Sequence, residues 1–311
     1  MVNKALSTKN KILEILRNSN DPVSGQEIAL ATGTSRVNIW KSIQSLENSG
    51  YEIESTHSGY KLIKDLSDSI FPWEFGKQET SFFHFETVDS TMNEAKKIAE
   101  TSDSDSKLKI ITADFQTEGK GHTGHKWNTT KGSLACTFIT RPKISVSYCH
   151  RIVMAAQIAL AESLSSISDK DFFVRWPNDI WTAKGKVAGI LDDVSSTGSI
   201  TNWINIGIGV NLCEKPNLSK TDIAGKEITR KKILSVFTDR FESECKRAEK
   251  RDEELCAKWN SLNFDKCKNI VPKGSSINYE FDSINSFGFA VLKNQDGIIK
   301  TLIPGIDGIK K

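Results

Sequence analysis

The sequence predicts an α+β protein built of three successive units, and three observations carry that prediction. Residues 1–64 place apolar side chains at helical spacing and close on a hairpin pattern. Residues 81–264 alternate strand-like apolar runs with helical stretches, the signature of a mixed α/β domain. Residues 265–311 hold only short alternating runs separated by Gly turns, the pattern of a small β-barrel. A length of 311 residues agrees with two or three domains at roughly 150 residues each. With 38% hydrophobic and 26% charged residues, disordered, collagen-like and coiled-coil classes are excluded.

The first unit is read as follows. Asn10 to Asn18 carries apolar residues at 12, 13, 15 and 16, one helix face. Ser24 and Glu27 form an S-x-x-E capping pattern ahead of a second helix, which Thr32-Gly33-Thr34 ends. A third helix runs from Ser35 to about Asn48, with Val37, Ile39, Trp40, Ile43 and Leu46 as its apolar positions. Alternating residues on either side of a Ser58-Gly59 turn then predict a hairpin over 51–63. Helix, helix–turn–helix and hairpin together outline a winged DNA-binding domain. In such domains the second helix of the motif enters the major groove, which nominates Ser35, Arg36, Asn38 and Lys41 for bases and phosphates. Eight Lys/Arg against six Asp/Glu over 1–64 lend this only weak electrostatic support. A module for protein contacts is the alternative.

Residues 65–80 break both periodicities and read as a linker. Beyond it, strands are predicted at Phe82–Phe85, Ile110–Phe115, Ser133–Ile139, Phe172–Trp176, Val187–Val194 and Trp203–Val210. Helices are predicted at Thr91–Thr101, Cys149–Ser166 and Arg230–Asn260, the last with a face through Ile233, Phe237, Phe241, Cys245 and Ala248. No apolar run approaches the ~18–20 residues of a membrane span. The N-terminus is charged and lacks a signal-peptide apolar core. Cys136, Cys149, Cys213, Cys245, Cys256 and Cys267 include no C-x-x-C pair, which suits free thiols in a reducing cytosol. A cytoplasmic protein with no membrane partner is the expectation.

Three segments place polar and backbone-permissive residues where a packed core would not. The run Gln116-Thr117-Glu118-Gly119-Lys120-Gly121-His122-Thr123-Gly124-His125-Lys126-Trp127 interleaves three glycines with cations. Such a loop brings N–H groups close to an anion, although it matches neither the P-loop nor the dinucleotide pattern. A surface loop is the competing reading. In Arg175-Trp176-Pro177-Asn178-Asp179 the proline stops a strand, leaving Asn178 and Asp179 at its end. Seven residues later Lys186 opens an apolar strand, either as a snorkelling surface lysine or as an electrophilic clamp. In Asn205-Ile206-Gly207-Ile208-Gly209-Val210-Asn211 the alternating glycines suit either close ligand approach or tight strand packing.

Taken in order and spacing, Asp89-Ser90-Thr91, the Gln116–Trp127 loop, Arg175–Asp179 with Lys186, and Gly207–Asn211 closely resemble the biotin–protein ligase family. The N-terminal helix–turn–helix resembles the bifunctional branch, whose members ligate biotin and repress biotin genes. The resemblance implies a central domain of the biotin/lipoate ligase type and an SH3-like C-terminal barrel. It implies biotin and ATP as substrates with Mg²⁺, activation as biotinyl-5′-adenylate, and transfer to one lysine of a biotin carboxyl-carrier protein. By the same resemblance Lys186 is catalytic, and Ser90, Thr91, Gln116, Lys120, Gly121, His122, Gly189 and Gly207 join it around biotin. Gly119, Lys120, His122, His125, Lys126, Trp127, Asn178, Asp179 and Asn211 fall to ATP and the adenylate, with Asn178 and Asp179 also toward Mg²⁺. Operator DNA and an adenylate-promoted homodimer complete the implied partners.

This sequence departs from the family pattern in four places. Lys120, His122 and His125 stand where the family loop carries arginines, and Arg175 replaces a lysine often seen before Trp-Pro. Met92 stands where some relatives have Asn, and the tail from Gly305 resembles the family's end loosely, suggesting Asp307 or Lys311 at the adenylate. Arg grips phosphate bidentately, Lys acts as a point charge, and His is mostly neutral at pH 7. A lipoate-type ligase and a biotin-sensing repressor with weak or lost ligase activity are therefore the rival readings. His122-x-x-His125 also invites a metal, but no third Cys or His lies at ligand spacing.

Overall fold

A computed structural model describes residues 6–66, 68–101, 107–213, 221–225, 227–250, 253–266 and 268–309. Cys267 and Lys311, both named above, lie outside the described residues. The chain divides into two compact units, Met1–Phe83 and His84–Lys311.

Three helices open the first unit: α1 (Thr8–Arg17), α2 (Gly25–Thr32) and α3 (Arg36–Asn48). Each is started by a serine, because Ser7, Ser24 and Ser35 accept the otherwise unpaired N–H of the residue three positions on. Their apolar faces, with Ile12, Leu13, Leu16, Ile28, Ile39, Ile43 and Leu46, form one core with Tyr51 and Ile53. Strands β1 (Glu52–Thr56) and β2 (Gly59–Lys64) form the antiparallel wing. Two apolar positions of α3 do not belong to that core. Val37 is 60% and Trp40 50% exposed, because the buried stripe runs 39–43–46 and both lie off it.

The 65–80 segment has no repeating pattern, yet it is tied down. It leads into 3₁₀ turns over Pro72–Ser81, kinked at Gly76. Arg17 pairs with Asp65 at 2.7 Å and Glu74 at 2.8 Å, Tyr51 Oη donates to Glu74, and Trp73 Nε1 donates to Tyr51 Oη at 3.2 Å. Side-chain anchors replace periodicity there, so the linker expected from the sequence is a packed strap of the first unit.

The second unit is built on a seven-stranded sheet of order β3-β4-β5-β9-β8-β7-β6. Its strands are β3 (Phe82–Val88), β4 (Lys109–Gln116), β5 (Leu134–Thr140), β6 (Phe173–Arg175), β7 (Asp179–Trp181), β8 (Lys186–Thr197) and β9 (Ile200–Val210). The three-residue β7 carries no alternation to be seen in sequence and enters between β6 and β8. Helix α4 (Thr91–Thr101) packs on β4, β5 and β9. Helix α5 (His150–Ile167) is buried nearly all round, as its run of Val, Met, Ala, Ile and Leu requires. Phe138 of β5 meets Phe237 and Phe241 edge-on at 5.0 and 5.5 Å, which fixes the face covered by α6 (Arg230–Glu249).

A single helix over Arg230–Asn260 is not what forms. Helix α6 ends at Glu249 and α7 (Glu253–Ser261) begins anew, because the charged run after Ala248 offers nothing to bury until Leu255. The buried stripe of α6 takes in Glu244, bonded to Lys258 at 2.9 Å, while Cys245 is only partly buried.

Strands β10 (Asn269–Ile270), β11 (Tyr279–Ile284), β12 (Ala290–Lys293) and β13 (Ile299–Leu302) make a four-stranded antiparallel sheet in that order. Its ladder does not close into the small barrel expected; one isolated bridge joins Pro272 and Ile309. The Ser286–Phe289 turn of this sheet sits on the start of α5. Phe287 stacks on Tyr148 at 5.0 Å, Trp176 Nε1 donates to the Gly288 carbonyl at 3.3 Å, and Arg151 Nε donates to the Ser286 carbonyl. A Cβ at Gly288 would stand 2.6 Å from the His150 ring, so the turn needs a glycine there.

Burial of His150, with His122 nearby as a second adverse influence, pushes its pKa down to about 4 from the ordinary 6.5. The unfolded chain therefore binds this proton first. Its contribution to stability is complete above pH 6.5 and is lost as pH falls toward 4, by up to roughly 3 kcal/mol. Urea unfolding across pH 7 to 4 is expected to show this loss, and His150→Gln is expected to remove that part of the slope.

Candidate active site

At one end of the sheet a chain of buried hydroxyls and an amide joins α4 to β4 and β5. The Thr91 amide and hydroxyl both donate to Gln116 Oε1, at 2.8 and 3.0 Å. Thr137 Oγ1 donates to the Thr91 hydroxyl at 2.8 Å, and Gln116 Nε2 donates to Thr129 Oγ1 at 3.0 Å. Ser90 is buried beside them, its hydroxyl accepting the Met92 N–H at 3.3 Å. Asp89 accepts from Asn93 Nδ2 at 2.6 Å, and that bond leads the influences holding its carboxyl below the usual range.

Next to this cluster the sheet is stripped of side chains. Gly189 of β8 pairs with Gly209 of β9, and Gly207 pairs with Leu191 of β8 and Thr137 of β5. Helix α4 and the Trp127 ring lie directly on the bare backbone. A Cβ at Gly209 would meet the indole at 2.2 Å, and one at Gly207 would meet Met92 Sδ at 2.6 Å. Of the two readings open in the sequence, tight packing is what these contacts show, since the protein's own Trp127 and Met92 side chains fill the space over the glycines.

Lys186 opens β8 at the edge of this surface. Its ammonium lies 2.6 Å from Asp179 Oδ1 and 5.8 Å from the centre of the Trp127 ring. Asp179 begins β7 directly after the cis Trp176–Pro177 bond and Asn178. Asn178 Nδ2 donates to the Ile190 carbonyl at 2.5 Å, and Asn211 Nδ2 to the Lys186 carbonyl at 3.3 Å. Both amides therefore brace the start of β8. Arg175 bonds Asp265 at 2.8 Å and lies over the Trp181 ring at 4.3 Å.

The glycine-rich loop is a folded hairpin. Trp127 N donates to the Gly119 carbonyl at 2.8 Å, Gly121 N to the His125 carbonyl at 2.7 Å, and His122–Gly124 form a 3₁₀ turn. Gly119 is obligatory, since a Cβ there would stand 2.3 Å from the Trp127 carbonyl oxygen. Lys120 Nζ donates to Asn93 Oδ1, while His125 and Lys126 are exposed. Among the described residues no group of three His, Cys, Asp or Glu could hold a metal ion. Asn178 and Asp179 do not make a preformed cation site, the first being bonded to backbone and the second to Lys186. Asp307 Oδ2 accepts the Ile303 N–H at 2.8 Å and so closes its own turn.

Two members of the site were not singled out in the sequence. Thr137 is one hydroxyl inside an apolar strand. Gln157 lies in the apolar run of α5 and donates to the carbonyls of Arg175 and Asp179 at 3.1 and 3.2 Å, while accepting from Trp259 Nε1 at 2.8 Å. Lone polar residues in otherwise apolar segments were the available signal.

In the first unit Ser35 is occupied as a cap by the Asn38 N–H at 3.3 Å, and Asn38 Nδ2 donates to Thr34 Oγ1 at 3.1 Å. Arg36, Asn38 and Lys41 are exposed on α3. Arg36, Val37 and Trp40 line one side of a groove whose other side is the Ser55–Tyr60 wing.

A sheet bared by glycines between a hydroxyl–amide cluster and a lysine–carboxylate pair, under a basic glycine loop, defines a ligase domain for a small carboxylate. The family model for biotin/lipoate A/B protein ligases matches residues 84–211, and a helix–turn–helix domain model matches residues 8–61. The bifunctional ligase/repressor BirA of Bacillus subtilis is 30% identical over 245 residues, covering 71% of this chain and 74% of the relative. A biotin–[acetyl-CoA-carboxylase] ligase of Paracoccus denitrificans is 32% identical over 132 residues, 42% of this chain and 54% of the relative. The biotin protein ligase of Aquifex aeolicus, solved with biotin and ATP, shares the fold. Its TM-score is 0.62 at 24% identity, covering 74% of this chain and 99% of that one. The chain belongs to the biotin/lipoate A/B protein ligase family.

Gly209→Ala is expected to force the Trp127 indole off the sheet. Tryptophan emission should shift to the red and become more quenchable by acrylamide, with a loss of about 1–3 kcal/mol in stability from overpacking. The change should vanish in a Trp127→Phe background.

Proposed function

We propose that the chain is an ATP-dependent biotin–[biotin carboxyl-carrier protein] ligase that also acts as a biotin-responsive repressor through its helix–turn–helix. The observation that carries the ligase reading is the bare Gly189–Gly207–Gly209 surface, with hydrogen-bonding side chains at one end and Lys186 at the other. Biotin has matching ends: a polar ureido head, an apolar bicycle and a valerate carboxylate.

In this reading Thr91 and Gln116 exchange some of their mutual bonds for bonds to the ureido head, Ser90 adds its hydroxyl, and the bicycle lies against Trp127 and Met92, the side chains that cover the glycine strands. A carboxylate oxygen of biotin attacks the α-phosphorus of ATP and pyrophosphate leaves, giving biotinyl-5′-adenylate. The ε-amine of the carrier lysine then attacks the acyl carbon, losing a proton, and AMP departs. Lys186, oriented by Asp179, offsets the negative charge that grows on the transferred oxygens. The 119–126 hairpin covers the adenylate and keeps water from the anhydride. Asn178 and Asn211 support Lys186 through the backbone of β8. Mg²⁺ would enter with ATP and be held mainly by phosphates and water, since the described residues offer no preformed cage for it. We read the C-terminal sheet as an SH3-like cap on the adenylate side and the protein as cytoplasmic.

For the repressor role, Arg36, Lys41 and the wing are the DNA-facing groups of α3 and its hairpin, and a dimer would engage two half-sites. Ordering of the loop by adenylate would favour that dimer, which makes corepression a linkage effect.

Lys186→Ala is expected to lower biotin transfer to a carrier domain about 10²–10³-fold while leaving the fold intact. Unchanged transfer would remove Lys186 from the chemistry. His122→Ala with His125→Ala is expected to speed release of bound biotinyl-adenylate, because the 119–126 hairpin then offers fewer groups to hold it. An unchanged release rate would exclude both rings as adenylate clamps. Sedimentation should show a dimer with biotin and ATP and a lighter species without them; an unchanged monomer would sink the linkage.

A further inference from the structure

The strand that supplies the glycine surface also carries an amide the fold does not use. Asn205 of β9 is 0% exposed, and neither its Nδ2 nor its Oδ1 has a hydrogen-bond partner among the described residues. Leaving such a group unpaired in a core costs about 1–3 kcal/mol, and a valine of comparable size would carry no such cost.

Its face is fixed by the register. From 204 to 210, β9 pairs with β5 without a bulge, so Asn205, Gly207 and Gly209 share one face while Ile206 and Ile208 share the other. The Ile206 partner, Phe138, packs on α6, whereas the Gly207 partner, Thr137, bonds to Thr91 at 2.8 Å. Asn205 therefore stands one side-chain row beyond Gly207, on the face of the hydroxyl–amide cluster, diagonal to Thr137. Its cross-strand neighbours are Ile139 and Asp193. In that cluster Thr91, Thr137 and Gln116 are already bonded to one another. Among the described residues, Asn205 is an amide on this face with neither its donor nor its acceptor bonded.

We infer that Asn205 is a specificity-determining residue of the biotin site, its amide pairing with the ureido head. The inference rests on the biotin reading above. A cyclic urea presents a carbonyl beside an N–H, and a primary amide is its complement: Nδ2 donates to the carbonyl and Oδ1 accepts from the N–H. A dithiolane head such as that of lipoate has no such pair and leaves the amide unmatched. Rejection of that head follows from the same cost that the unliganded protein bears.

The test is calorimetric titration of the full chain with biotin, without ATP, for wild type, Asn205→Val and Asn205→Thr. Melting temperatures of the unliganded proteins and the KM for ATP are measured alongside. Asn205→Val is expected to bind biotin about tenfold or more weakly, to melt no lower than wild type, and to keep its KM for ATP. Asn205→Thr, with one hydroxyl, should fall between, and keeps the test readable if the valine variant does not fold. A folded valine or threonine variant that binds biotin as wild type does overturns the role of Asn205 alone. Failure of the wild type to bind biotin overturns the ligase reading, and Asn205 with it.

Discussion

The rest of the site depends on backbone that must stay bare. Where β5, β9 and β8 run side by side, three positions of one face hold no side chain, and two neighbours occupy the space at distances that forbid a Cβ. A sheet face normally meets its partner through interdigitated side chains. Here the indole of Trp127 and the start of α4 rest on peptide groups instead. The same constraint fixes the hairpin, because Trp127 ends it and closes it on Gly119. It also sets Lys186, whose ammonium lies beside both the Trp127 ring and Asp179.

Charge is concentrated on the rim of that surface. Lys186 is held by Asp179, Arg175 by Asp265, and Lys120 by Asn93, so these three cations already have partners. An anionic substrate must draw Lys186 from Asp179 or share it. The net charge of +3 over the whole chain conceals this local arrangement. Gln157 shows how far the bracing reaches, since one amide in the middle of α5 holds the carbonyls on both sides of the Trp-Pro turn.

Much of this was legible in the sequence, for identifiable reasons. The long central strands and α4 announce themselves because apolar runs between breakers have few other uses. The Ser24 cap of the first unit reads directly from its spacing to Glu27. Other features were hidden by the same physics. Val37 and Trp40 look like core residues by type, but a helix buries only one stripe. The 65–80 strap is ordered by ion pairs and aromatic hydrogen bonds that have no period. Thr137 and Asn205 resemble noise inside apolar strands, and only the register brings them to the face of Thr91. The division of the Arg230–Asn260 stretch followed from a charged run that a tally of helix-forming residues passes over.

The central claim is that this glycine-floored surface with Lys186 at its rim activates biotin as an acyl-adenylate. The exchange of labelled pyrophosphate into ATP tests it most directly, because it reports the first half-reaction without any carrier protein. The account predicts exchange that requires biotin and is not supported by lipoate. Exchange driven by lipoate, or none with biotin, would contradict it.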